Sequence, residues 1–296
     1  PGMAPDADLA FVHLASRGTS GLANLGDSIG ILEGLDFLRR VARGRPLVVS
    51  LSVGRHGGPH DGSTLVELAI DAFLTGAPGC VMAQSAGNYG LKGCHASGVL
   101  WPATTQQLPF LVEARDPSDN EVEIWHDCAE CAVLLAAPDG TTTGWIALGE
   151  AADLRAGSRP LARVYHRGSD PQNGSHHVDA FLYPGAPSGP WTIVLRDRRR
   201  SGPPIPFHAW IERDDGCVTC QSRFPAAVAD HATTLGTLAS NHRSLVCGAY
   251  DAFDRGRRAG AFSSLGPTRD GRQKPDCGAP GVGVLCLRST PRVPAR

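Results

Sequence analysis

The chain has 296 residues, enough for one large domain or two of ordinary size. Its apolar content of 42% can supply a substantial core. Its net charge of −1 leaves no electrostatic footprint for nucleic acid or an anionic membrane surface.

Taken from the start, residues 8–14 read as a strand and residues 15–25 as a polar loop. Asp27 or Ser28 can cap a helix that runs to about Arg43. Ile31, Leu35, Leu38 and Ala42 give that helix an apolar stripe, and Arg39, Arg40 and Arg43 suit its C-terminal end. Residues 47–51 are a short valine-rich run fit for a buried strand. Thr64 and Glu67 have capping-box spacing. Leu65, Leu68, Ala69, Ala72 and Phe73 follow at helical spacing, and Gly76 stops the helix. A second buried strand over residues 79–83 opens into Ser85-Ala86-Gly87-Asn88-Tyr89-Gly90. This β-α-β-α-β order argues an α/β layer fold with a parallel sheet. In such sheets ligands sit beyond the carboxyl ends of the strands. Those ends are Ser52-Val53-Gly54 and Ser85-Ala86-Gly87-Asn88.

From about residue 110 to 215 the helical period disappears. Short β-rich runs alternate with turn signals, which predicts an antiparallel sandwich or jelly roll. Arg196, Arg198, Arg199 and Arg200 form the one dense basic run, read as a solvated hairpin. Trp125, Trp145, Trp191 and Trp210 read as core residues, with a sugar-binding platform as the alternative. After this region, residues 234–251 read as a strand returning the chain to the parallel sheet.

Three segments resemble the subtilisin-like serine proteases. The first is the pair SLSVG (residues 50–54) and SAGNYG (residues 85–90), joined by one helix. The second, GMAPDADL (residues 2–9), is similar to the segment that follows the catalytic histidine helix in that family. The third, FSSLGPTRDGRQKPDCGAPGVGVL (residues 262–285), is similar to the segment that leads to the catalytic serine. They occur in the family's order and cover roughly residues 1–100 and 235–287. The resemblance implies a parallel-sheet, three-layer core over residues 1–105 and 229–296, with an inserted β-sandwich over 106–228. Asn88 and Phe262 are 174 positions apart, far more than in compact members of the family, and some bacterial members carry a jelly-roll insert at this place.

The resemblance also assigns roles. Asn88 matches the oxyanion-hole asparagine, Ser52-Val53-Gly54 the backbone segment that pairs with an extended substrate, and Ser85-Ala86-Gly87 one wall of the pocket before the scissile bond. The triad does not follow. No Asp-Thr/Ser-Gly or His-Gly-Thr-His motif is present, and residues 286–296 do not continue the serine motif. Gly18-Thr19-Ser20 has the right letters but precedes the Asn88 loop. His13, His56, His60 and His95 have no partner that sequence assigns and read as structural or surface histidines. The expectation is an internal part of a serine endopeptidase, inactive alone, with its Asp, His and Ser outside this chain. The alternative is a non-catalytic binding protein on a degenerate subtilisin-like scaffold.

Neither mechanism requires a cofactor. The pairs Cys128/Cys131 and Cys217/Cys220 have C-x-x-C spacing and are weak candidates for a zinc site, because the pairs are far apart in sequence; disulfides and unrelated thiols are the alternatives. Cys80, Cys247, Cys277 and Cys286 read as small buried hydrophobes. Calcium is implied only by the family, with Asp270 and Asp276 as carboxylates that could take part. The expected partner is a peptide or protein substrate. No membrane run or signal peptide is read. The chain opens at Pro1 inside a motif, so its true start is expected elsewhere and localisation is undecided. Without the flanking helices, the chain is expected to expose apolar surface and to aggregate.

Overall fold

The structure is a computed structural model that describes residues 4–14, 28–114, 116–212 and 220–284. The first third of the chain starts a parallel sheet from alternating helices and strands: α1 (Ser28–Ala42), β1 (Leu47–Leu51), α2 (Leu65–Thr75) and β2 (Cys80–Ser85). The α2 capping box is present. The Thr64 hydroxyl accepts from the Glu67 amide, and the Glu67 carboxylate accepts from the Thr64 amide. β1 and β2 pair in parallel with Leu51 opposite Gln84, so their carboxyl ends emerge side by side. Two later strands, β13 (Leu245–Asp251) and β14 (Cys277–Val282), complete the sheet in the order β1-β2-β13-β14.

One face of this sheet is covered. Ile31 and Leu35 of α1 and Val66 and Ile70 of α2 pack on Val49 and Met82. The period of two along each strand sends the alternate residues to the other face. There Val48 is 75% exposed, Val81 50% and Leu245 43%. The expected three-layer core therefore shows one helical layer among the described residues, and the exposed apolar face expected from the sequence is present.

Residues 8–14 form no strand. Leu9 and Phe11 are exposed, and nothing in this segment pairs with the free edge of β1. An apolar run is only a strand if a ladder partner accepts it; here Val12 instead packs against Gly34 of α1. The helix expected next is α1, although Asp27 lies outside the described residues.

The middle of the chain is an antiparallel sandwich. Its six-stranded sheet has the order β3 (His95–Leu100), β12 (Ile205–Ile211), β5 (Asn120–His126), β10 (His176–Leu182), β9 (Arg159–Arg167) and β8 (Ala151–Ala156). The facing four-stranded sheet runs β4 (Thr105–Val112), β11 (Gly189–Asp197), β6 (Cys131–Ala136) and β7 (Ile146–Ala147). Phe110, Val133 and Trp191 from one sheet meet Ile124, Val164 and Val178 from the other in one buried cluster. β3 precedes the boundary expected at residue 106, yet it pairs with β12, so the sandwich strands begin at His95. β8 carries no apolar run that announces it; its partner β9 dictates it. Trp191 and Trp210 are fully buried and Trp125 nearly so. Trp145 is 42% exposed, its ring covered by the Arg196 guanidinium at 4.4 Å. In the basic hairpin Arg199 is paired with Asp197 at 2.6 Å.

Candidate functional site

The two strand ends named by the sequence lie together. Ser52, Val53 and Gly54 leave β1 along the outer edge of the sheet, where β1 has no neighbouring strand among the described residues. Ser52 is exposed, and a Cβ added at Gly54 would meet nothing within 4 Å. The Gln84 side chain donates to the Val53 carbonyl at 2.9 Å and ties this segment to β2.

Ser85-Ala86-Gly87 leave β2 between that edge and β13. The Ala86 amide donates to the Cys247 carbonyl, and the Ala86 carbonyl accepts from Gly236. Gly87 has φ +108°, a conformation that L side chains rarely adopt, and a Cβ there would come within 2.9 Å of the Ser264 hydroxyl. Ser264 grips the loop twice. Its amide donates to the Gly87 carbonyl at 3.0 Å, and its hydroxyl accepts from the Tyr89 amide at 3.0 Å. At Gly90 a Cβ would lie 2.3 Å from the Ser263 carbonyl oxygen, so only glycine permits this approach. Asn88 is the exposed residue at the crest of this braced turn. Its carboxamide is thus presented to solvent from a backbone fixed on both flanks, the arrangement that a preorganised hydrogen-bond donor requires.

The sandwich holds the loop that follows Gly54. Glu212 accepts from the His56 amide at 3.0 Å, the Gly57 amide at 2.9 Å and the Arg55 guanidinium at 3.2 Å. Glu123 accepts from the Gly58 amide at 2.6 Å. The rings interleave as well: Tyr89 stacks on His56, and His60 stacks on Trp210. His56 donates through Nδ1 to the Ile211 carbonyl at 3.1 Å, and His60 donates through Nε2 to the His56 carbonyl at 2.8 Å. Burial pushes the His56 pKa down to about 3 and holds His60 well below the ordinary histidine range. Burial also raises Glu123 to about 8 and Glu121 to about 7. These contacts were not legible in the sequence; acidic residues set among apolar strand positions (half-buried Glu123 within β5, buried Glu212 just after β12) are the signal that could have pointed to them.

His56, His60 and His95 are fully buried and serve packing, while His13 is exposed. Gly18-Thr19-Ser20 lies outside the described residues. The four candidate zinc thiols do not form one set. Cys220 is disulfide-bonded and offers no thiolate, and Cys217 lies outside the described residues. Cys128 and Cys131 are buried in the sandwich core. The hydrogen bond with Cys128, and then burial, hold the Cys131 thiol protonated. His126, His166 and Cys131 offer possible ligand atoms within 4.8 Å of one another. The rings nevertheless close as a relay. His126 accepts from the Cys128 amide at Nδ1, its Nε2–H reaches His166 Nε2 at 3.1 Å, and His166 Nδ1–H donates to Ile146. Both inner nitrogens are then occupied without an ion. Asp270 is paired with Arg272 at 2.7 Å and Asp276 with Lys274 at 2.6 Å, which does not fit a calcium ligand pair.

The resemblance expected from the sequence is matched by a family model: the Subtilase family covers residues 1–295. The chain is a subtilase. Among solved structures it is similar to the CspB protease of Clostridium perfringens, with a TM-score of 0.77 and 24% identity. That likeness covers 93% of this subtilase and 56% of the CspB chain, so the subtilase spans about half the length of that protein. The lipase BlEst2 of Bacillus licheniformis in propeptide form reaches a TM-score of 0.29 at 11% identity, over 64% of each chain. No curated protein matches this subtilase by sequence.

Proposed function

We propose that this chain supplies the oxyanion donor and the substrate-pairing edge of a subtilisin-like serine endopeptidase, whose Asp, His and Ser lie outside it. The observation that carries the reading is Asn88: an exposed carboxamide on a turn braced by Ser264, next to the open edge at Ser52-Val53-Gly54. An extended peptide would add to that edge through main-chain hydrogen bonds, with Ser85-Ala86-Gly87 walling the pocket for the residue before the scissile bond. The serine would attack the carbonyl carbon as the histidine takes its proton. Charge develops on the carbonyl oxygen, and the Asn88 amide N–H donates to it. A second helical layer, contributed by segments that carry the histidine and the serine, would cover Val48, Val81 and Leu245 and complete a three-layer core. The chain alone is inactive in this reading. Neither calcium nor zinc enters a step.

The absent triad motifs favour a second reading, a binding protein on a degenerate scaffold. One experiment separates the two. The complete gene product that carries this chain is treated with a fluorophosphonate probe and assayed on peptide substrates. A protease is labelled at one serine, and Asn88→Ala lowers kcat by about 10²- to 10³-fold with little change in KM, the range known for an oxyanion asparagine in a subtilisin. A folded, full-length protein that takes no label is the binding scaffold.

A further inference from the structure

Two cysteines outside the candidate site face each other across the parallel sheet. Cys247 of β13 and Cys277 of β14 are direct partners in the register, so their side chains leave the same face. Neighbouring strands lie about 4.7–4.9 Å apart, inside the Cα separation of about 4.4–6.8 Å that a disulfide spans. The two sulfurs are already 3.4 Å apart and share a hydrogen bond. Both are free thiols; Cys277 is exposed and Cys247 partly so. They sit on the sheet face that no described helix covers.

We propose that Cys247 and Cys277 form a redox-active dithiol, which a small-molecule disulfide such as oxidised glutathione converts reversibly into an intramolecular disulfide. The exposed Cys277 sulfur, as thiolate, attacks one sulfur of the small disulfide. A mixed disulfide forms on Cys277 and one thiol is released. Cys247 then loses its proton and attacks the Cys277 sulfur, releasing the second small thiol. Two protein thiols are oxidised, one disulfide is reduced to two thiols, and the two protons pass to the released thiols. The order of attack follows from the surroundings. Burial and the neighbouring Cys277 sulfur push Cys247 up to about 11, which makes it the resolving thiol. The other close pair, Cys128 and Cys131, is fully buried in the sandwich and out of reach of such a reagent.

The position gives the bond a consequence. Among the described residues β14 is an edge strand, paired with β13 alone in its sheet. β13 in turn pairs Cys247 with Ser85 and accepts from the Ala86 amide, one strand from the candidate pocket wall. Oxidation would staple the edge strand to the strand that supports that wall and close a loop of 30 positions. The inference does not depend on peptide cleavage.

The test uses the folded full chain in a series of reduced and oxidised glutathione, quenched with an alkylating agent and mapped by peptide mass. Wild type is expected to give a Cys247–Cys277 linked peptide as the main product, reversed by excess reduced glutathione. Its melting midpoint should rise by roughly 5 °C on oxidation, from closure of the loop. Cys247→Ser should stall with glutathione held on Cys277, and Cys277→Ser should leave Cys247 unmodified under the same conditions. Glutathione that accumulates on Cys277 of the wild type without a link, or a link that forms only in denaturant, overturns the proposal. If neither variant folds, the wild-type map decides alone.

Discussion

Tyr89 lies flat on His56, with ring centroids 4.1 Å apart and planes 13° from parallel. Tyr89 follows the candidate oxyanion residue, and His56 follows the candidate substrate edge by two positions. The stack therefore locks the two halves of the site to each other, and the Nδ1 bond from His56 to Ile211 locks both to the sandwich. A sandwich that grips the loop in this way is part of the candidate site's scaffold.

His56→Ala removes the ring from a fully buried position and strands the Ile211 carbonyl. Cavity and lost hydrogen bond together should cost about 3–5 kcal/mol. His13→Ala, at an exposed position, should change stability by less than about 0.5 kcal/mol. Urea unfolding of both variants checks this; equal midpoints would mean that the stack carries no weight.

Ser264→Ala deletes the acceptor for the Tyr89 amide, a buried donor with that bond at 3.0 Å. The loss should be about 1–3 kcal/mol, and it should be local. Amide hydrogen exchange should quicken at Tyr89 while strand β2 keeps its protection. If the complete protein is the proposed peptidase, the same change would loosen Asn88 and lower kcat more than it raises KM.

Stability should peak near pH 6.5. His56 and His126 are held at about 3, and His95, His166 and His208 at about 4, chiefly by burial. Between these values and 6.5 the unfolded chain binds more protons, so stability rises with pH. Glu67 and Glu123 are raised to about 8 and Glu121 to about 7, again chiefly by burial. From 4.5 up to those values the folded chain binds more protons, so each contributes stability that is lost as pH rises. The histidines outnumber the glutamates below 6.5, and above it the glutamates act alone. Melting midpoints measured from pH 4 to 9 should trace the dome. Glu123→Gln keeps an acceptor for Gly58 and should flatten the alkaline side; an unchanged slope there would count against the buried-glutamate account.

The parallel unit was legible because its signals are local. The Thr64–Glu67 spacing, the valine run at residues 47–51 and the stop at Gly76 each lie within one element. Periodicity also told the sandwich apart from the core. What the sequence withheld depends on partners distant in the chain. Residues 8–14 have strand composition but meet no ladder, and β8 has little strand composition but meets β9. The clamp of Ser264 on Gly87 joins residues 177 positions apart, and Glu212 reaches His56 from 156 positions away. The candidate asparagine could be named from its flanks; the groups that hold its turn still could not.

The sheet offers a paired test of its bare face. Val81 and Met82 are neighbours in β2 and point to opposite faces. Met82 is fully buried between the sheet and its helices, whereas Val81 is 50% exposed. Met82→Ala should cost about 2–5 kcal/mol by leaving a cavity. Val81→Lys should leave the stability within about 0.5 kcal/mol of wild type, since the side chain already meets solvent. The lysine should, however, suppress self-association, because Val48, Val81 and Leu245 form an exposed apolar strip that a charge interrupts. Light scattering against concentration, run on both variants and wild type, reads the effect. If Val81→Lys is as destabilising as Met82→Ala, the bare face is covered in solution. If it is neutral and does not alter scattering, the strip is not the surface through which the chain associates.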